Sequence, residues 1–177
     1  KAVAGCEIVF HQGALGSVPR SIQAPLVSDD ANVHGTLAVL QGAHRAGVRR
    51  VVLASSSSVY GGASQVPTPE SAPLVPRSPY AVTKLAGEHY ARVYSELFGL
   101  ETVGLRYFNV YGPRQRPDAA YAAVIPLFIA ALRTGESPQV HGDGLQSRDF
   151  AFIDDVVRAN LLAAHAPADV CSGKAYN

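Results

Sequence analysis

A chain of 177 residues is long enough to bury one sizeable core, and its 47% apolar content and mean hydropathy of +0.08 are those of a compact globular protein. With 15 basic residues against 14 acidic, the formal net charge is +1, which removes the electrostatic reason to expect nucleic acid or an anionic membrane as partner. Cys6 and Cys171 stand far apart, in no metal-ligand spacing, and no apolar run reaches membrane-spanning length. Without a basic and apolar leader, two isolated thiols predict a cytoplasmic protein with small buried cysteines rather than a disulfide framework.

Cys6–His11 is apolar and β-rich and reads as a short buried strand. The stretch 13–28, with Gly, Pro and Ser throughout, reads as loop. Asp29–Ala46 carries an apolar face of Val33, Leu37, Val39 and Leu40 and a stop at Gly47, the pattern of a helix. Val48–Ala54 predicts a second buried strand, and 55–78 a long Ser- and Pro-rich loop. Pro79–Phe98 predicts a strong helix, with Pro in its first turn and Gly99 at its end. Glu101–Tyr107 predicts a third strand, followed by a Pro/Arg-rich loop to Asp118. Beyond it come a helix over Tyr121–Arg133, short strands at Pro138–His141 and Asp149–Ile153, and a final helix over Asp154–Ala166. Alternating helices and continuously apolar strands predict an α/β fold with a doubly wound parallel sheet over residues 1–112. Residues 113–177 predict a smaller lobe over the carboxyl ends of the strands together with returning sheet and helix elements. The chain has no methionine and opens almost directly into a strand-like run; both features predict a preceding segment.

Four local patterns carry chemistry. Tyr80-Ala81-Val82-Thr83-Lys84 puts a phenol and an ammonium at i and i+4 on one helix face. A phenol of pKa about 10 is a poor base at neutral pH; an ammonium one turn away favours the phenolate and makes the pair a usable acid/base for a sugar hydroxyl. Ala54-Ser55-Ser56-Ser57-Ser58 sets a row of hydroxyls at a strand's end, where one can donate to a reacting oxygen. Leu105-Arg106-Tyr107-Phe108-Asn109 places a polar amide after a buried strand. Gly142-Asp143-Gly144, followed by Ser147-Arg148-Asp149, offers a guanidinium able to grip a phosphate bidentately. His11, His34, His44, His89 and His165 form no ligand cluster, and no metal site is expected.

In this order and spacing, the four patterns resemble the extended short-chain dehydrogenase/reductase family across nearly the whole chain, from Val9-Phe10-His11-Gln12-Gly13-Ala14 to the helix 154–164. The likeness is greatest to nucleotide-sugar 4-epimerases of the UDP-N-acetylhexosamine and UDP-glucuronate types. The resemblance implies a Rossmann-like fold, NAD as hydride carrier, and epimerisation at C4 of a UDP-sugar through a 4-keto intermediate. It implies that Tyr80 is the base, that Lys84 holds the nicotinamide ribose and depresses the phenol's pKa, and that Ser56 or its neighbour Ser57 bonds the reacting oxygen. It places Gln12, Gly13, Ala14, Asn32, Ser55, Tyr107 and Val110 near the cofactor. Asn109 and Arg148 would hold the substrate diphosphate, Val124, Val140 and His141 would lie near the base, and Ser17 would face the sugar. A homodimer would form through the helices 29–46 and 79–98.

The family's Gly-rich dinucleotide fingerprint is absent from this sequence. Gly13-x-x-Gly16 follows a strand but is followed by Pro19 and no third glycine, so it reads as the turn after a later strand. The resemblance therefore implies that the pyrophosphate of the cofactor is held by a segment preceding residue 1. Among alternatives, a 4,6-dehydratase of this family uses an Asp-Glu pair where this chain has Ser57 and Ser58, and a decarboxylase uses a Glu at Ser58. A non-catalytic NAD-binding module of this fold would usually lack the Tyr or the Lys, and an inactive fragment is the remaining alternative.

Overall fold

The computed structural model describes residues 2–62, 65–116, 123–140 and 142–177. The chain opens with β1 (Ile8–His11), followed by α1 (Val18–Gln23) and α2 (Pro25–Asp29). A π turn at Asp30–His34 carries α2 into α3 (Gly35–Arg45). Then come β2 (Arg50–Ser56), a 3-10 turn at Ser57–Tyr60, α4 (Pro79–Phe98) and β3 (Glu101–Tyr107). The remainder holds β4 (Val110–Tyr111), α5 (Val124–Thr134), β5 (Ala151–Phe152), α6 (Ile153–His165), α7 (Ala168–Cys171) and β6 (Lys174–Tyr176).

The main sheet is wholly parallel, in the order β1-β2-β3-β6, and β4 pairs with β5 in a separate two-stranded ribbon. Alternation along β2 divides the core in two. Val51 packs with Leu40, Ala43, Tyr94 and Leu100 on the side of α3 and α4. Val52 packs with Val103, Leu105, Ala163 and Ala164 on the side of α6. Helices on both faces explain why the strands read as unbroken apolar runs. Arg50, 1% exposed, anchors the foot of β2: its guanidinium donates to Glu101 at 2.7 Å and to the Ala163 carbonyl at 2.7 Å.

α4 has the bounds its punctuation predicts. The Ser78 hydroxyl caps it by accepting from Ala81 N–H, Pro79 opens its first turn, and Gly99 ends it at φ +67°. Thr83, Gly87, Ala91 and Tyr94 form its buried face. Gly87 sits where a Cβ would already touch Thr36 and Leu53, so the residue lets α3, α4 and β2 approach closely.

Several expectations are corrected: the first strand starts at Ile8 rather than Cys6 and is only partly buried, and Cys6 is exposed while Cys171 is buried. Residues 13–28 are not a loop: α1 and α2 lie there, each with a proline in its first turn, and Ser17 caps α1 by accepting from Arg20 N–H. The same Ser and Pro that read as loop residues are here helix starts. The helix expected from Asp29 thus runs on from Pro25, interrupted by the π turn. Residues 138–140 form no strand, and β5 pairs instead with β4, inside a stretch read as loop. The helix expected at 121–133 is α5, and its first two expected residues lie outside the described ones. The ranges of α7 and β6 were not read from the sequence; β6 pairs with β3 at the edge of the sheet.

Gly61 ends the 3-10 turn at φ +66°, and a Cβ there would collide with the Val75 carbonyl oxygen. Gly61→Ala is expected to destabilise the fold by about 2 kcal/mol or more, from left-handed strain plus the collision. Urea unfolding checks this, and a loss under about 0.5 kcal/mol contradicts it.

Candidate active site

Three rungs join α4 to the carboxyl end of β2. Tyr80, Lys84 and Glu88 follow one another at i, i+4 and i+8 along one face of the helix. The Lys84 ammonium donates to the Ala54 carbonyl at 2.9 Å and lies 5.9 Å from the centroid of the Tyr80 ring. The Ser55 hydroxyl donates to Glu88, so that side chain is buried on the α4 face of the sheet. Ser56, the next residue, lines the same cleft as Tyr80 and hydrogen-bonds its phenol. Its Oγ accepts from both the N–H and the hydroxyl of Ser58, at 3.2 and 2.9 Å, which leaves its own proton to donate toward Tyr80 or a bound oxygen.

The first turn of α4 is itself held from below. Tyr80 N–H donates to the Ser21 hydroxyl at 3.0 Å, and Ser21 is fully buried in α1. Asn32, in the π turn and also buried, accepts from Leu15 N–H at 2.7 Å and donates to the Leu15 carbonyl and to Thr83. It thereby ties the loop after β1 to α4. At the cleft floor Tyr107, Gln12 and Asn160 close a ring: Tyr107 donates to Gln12 at 3.0 Å, Gln12 to Asn160 at 3.1 Å, and Asn160 to Tyr107 at 2.7 Å.

These groups border a cleft of about 810 Å³ over the carboxyl ends of the strands, where open α/β sheets bind ligands. Gln12, Ala14, Ser17, Ser55, Ser56, Ser57, Tyr80 and Lys84 line it. So do Tyr107, Asn109, Val110, Val124 and Arg148. Gly13 and Val140 are not in its lining, Asn32 stands behind it, and His141 lies outside the described residues. Asn109 reaches across to the Asp149 carbonyl at 2.8 Å, which holds the Arg148 segment against the β3–β4 turn. A second hollow of about 860 Å³ shares Tyr107, Asn109 and Arg148 with the cleft. Sequence reasoning missed Ser21 and Asn160, which act across long separations, and the cleft aromatics Phe108, Tyr111 and Phe150. Phe108 and Tyr111 flank the Asn109 that was singled out. Among the described residues no cluster of His, Cys, Asp or Glu could hold a metal ion, and no helix is long and apolar enough to cross a membrane.

Partial burial shifts several titratable groups at the cleft. Burial pushes the Tyr80 phenol above its ordinary pKa and hydrogen bonding from Ser56 pulls it part of the way back, so the net lowering expected from Lys84 is not what the structure shows. Burial also lowers His11, assisted by the nearby charge of Lys84. Lys84 falls from its ordinary 10.5 to about 8 because it is desolvated. Since the folded value lies below the unfolded one, the unfolded chain holds the extra proton between about pH 8 and 10.5, and stability rises with pH across that window. Below it the buried charge costs the fold up to about 3 kcal/mol. Lys84→Met is therefore expected to stabilise the fold by about 1–3 kcal/mol near pH 7 and to flatten the rise at higher pH. Urea unfolding across that range checks both, and a variant less stable than the parent near pH 7 contradicts the assignment.

The described geometry has known counterparts. Residues 1–177 match the model of the NAD dependent epimerase/dehydratase family. The chain is 42% identical over 158 residues to a putative UDP-glucose 4-epimerase of Methanocaldococcus jannaschii, covering 89% of this chain and 52% of that protein. It is 42% identical over 172 residues to a UDP-glucose 4-epimerase of Mycolicibacterium smegmatis, covering 97% and 54%. Its fold superposes on the UDP-N-acetylglucosamine 4-epimerase of Methanobrevibacter ruminantium, solved in complex with UDP-N-acetylmuramic acid, with a TM-score of 0.94 and 40% identity over 99% of this chain and 56% of that one. The chain spans about half the length of the relatives it matches. With its Rossmann-like parallel sheet, it belongs to the NAD dependent epimerase/dehydratase family.

Proposed function

We propose that the protein carrying this chain epimerises C4 of a UDP-hexose. The observation that supports this reading best is the convergence of Ser56, Tyr80 and Lys84 on one cleft at the strands' carboxyl ends. Tyr80 is the base for the C4 hydroxyl. The Ser56 proton, left available by the two bonds Ser56 accepts from Ser58, steadies the oxygen as it gains charge. The ammonium 5.9 Å from the Tyr80 ring favours the phenolate that accepts the proton. Once the 4-keto sugar has turned its other face toward the hydride donor, Tyr80 returns the proton to the C4 oxygen.

The cleft suits the nicotinamide end of NAD. Lys84 spends one of its three donors on Ala54 and has others for a ribose diol. The loop Gln12–Ala14, the backbone of Ser55, Tyr107 and Val110 would surround that end, with Asn32 fixing the loop. When bound, NAD supplies the hydride acceptor and donor for C4. Arg148 and Asn109 would hold the substrate diphosphate, and Val124 would meet the base. Ser57 and Ser58, in place of an acidic pair, give no acid for expelling a C6 hydroxyl, so epimerisation is favoured over 4,6-dehydration. The outward stripe of Val82, Tyr90, Val93 and Leu97 on α4 supports a homodimer through the helix pair. The two unpaired thiols support a reducing, cytoplasmic setting.

In the full-length protein, Tyr80→Phe is expected to lower kcat by about 10²–10⁴-fold with NAD binding retained; near-normal turnover of a UDP-sugar panel overturns the reading. Lys84→Ala is expected to move the pH–rate profile to higher pH, because the phenolate loses its cation. An unmoved profile removes Lys84 from the mechanism.

A further inference from the structure

Below the cleft lies a buried ion pair that the proposed chemistry does not use. Arg106 and Glu88 are each 7% exposed at the side chain, and the guanidinium donates twice to the carboxylate, at 3.0 and 2.8 Å. Burial works against the arginine's charge, but Glu88 holds its pKa above the ordinary value. Arg106 also donates to the Tyr60 hydroxyl at 2.7 Å and lies over the Tyr60 ring, 5.1 Å from its centroid. Tyr60 ends the 3-10 turn that Ser56 caps. The pair is thus bonded to both flanks of Ser56: to Ser55 through Glu88, and to the turn at 57–60 through Tyr60.

We propose that Glu88 and Arg106 are positioning residues for the acid/base site, holding the end of β2 so that the Ser56 hydroxyl faces Tyr80. A buried pair of this kind is weak evidence for a stabilising role, since an apolar pair of similar volume often serves stability as well. Its geometry gives it another one. Successive strand residues point to opposite faces. A grip on the Ser55 side chain therefore fixes the rotation of β2 about its axis, and with it the direction of Ser56. Glu88 continues the helix face of Tyr80 and Lys84, so the same helix that carries the base also sets the donor.

The inference rests on the reading of Tyr80 and Ser56 given above, and its test separates the two. In the full-length protein, the near-ultraviolet tyrosinate titration, taken as the difference from a Tyr80→Phe variant, follows the Tyr80 phenol without any turnover. Glu88→Gln is expected to raise that titration, because the phenol loses the hydrogen bond that lowers it. With a UDP-sugar that the parent turns over, kcat should fall by about 100-fold, as for a small misplacement of a reacting group, with KM little changed. Ser55→Ala, which leaves the ion pair intact, should move both quantities the same way by a smaller amount, and it decides the matter if Glu88→Gln does not fold. A folded variant with an unmoved Tyr80 titration overturns the positioning role. A parent that turns over no UDP-sugar overturns the epimerase reading instead, and the titration still reports on the positions of Ser56 and Tyr80.

Discussion

The seam between α4 and the last three residues of β2 is the contact on which the rest of the site depends. A helix repeats its face every fourth residue and a strand every second. Tyr80, Lys84 and Glu88 therefore share one helix face, and the bonds of Lys84 and Glu88 to residues 54 and 55 set the placement of helix against strand. The bond from Lys84 to the Ala54 carbonyl fixes the helix along the strand. The bond from Ser55 to Glu88 fixes the strand's rotation. Ser56 is left turned into the cleft, its acceptor capacity spent on Ser58. Much of the remaining architecture serves that placement. Gly87 permits close packing on α3 and Leu53, Ser21 receives the amide of Tyr80, and Asn32 ties the loop after β1 to Thr83.

Function here opposes stability. A lysine whose pKa burial pulls down to about 8 is a charge the fold would shed below that pH if it could. A buried guanidinium and carboxylate recover only part of their desolvation by pairing. Lys84 borders the cleft, while the ion pair lies beneath it and is bonded to the end of β2 and to the turn that follows.

How much of this was legible in the sequence follows from the range of each interaction. The bounds of α4 and of β3 were readable to the residue, because Pro79, Gly99 and an unbroken apolar run are local signals. The spacing of Tyr80 and Lys84 was legible for the same reason, as was the hydroxyl row at the end of β2. Residues 13–28 were misread because Ser17, Pro19 and Pro25 signal a loop and a helix start equally well, and only packing against α4 decides between them. The ring of Gln12, Tyr107 and Asn160 joins residues up to 148 positions apart, and no periodicity within one element encodes such a partner. Glu88 and Arg106 are separated by a strand-and-turn geometry that the sequence states only after the sheet order is known.

The central claim is that C4 of the sugar loses and regains a hydride while Tyr80 handles only the hydroxyl proton. The most direct measurement uses a UDP-hexose deuterated at C4, incubated with the full-length protein in ordinary water. The account predicts that the epimer forms with deuterium still at C4. Epimer formed with deuterium lost to solvent would mean that C4 itself is deprotonated and reprotonated, and absence of epimer would mean that the cleft serves another reaction; either result contradicts the account.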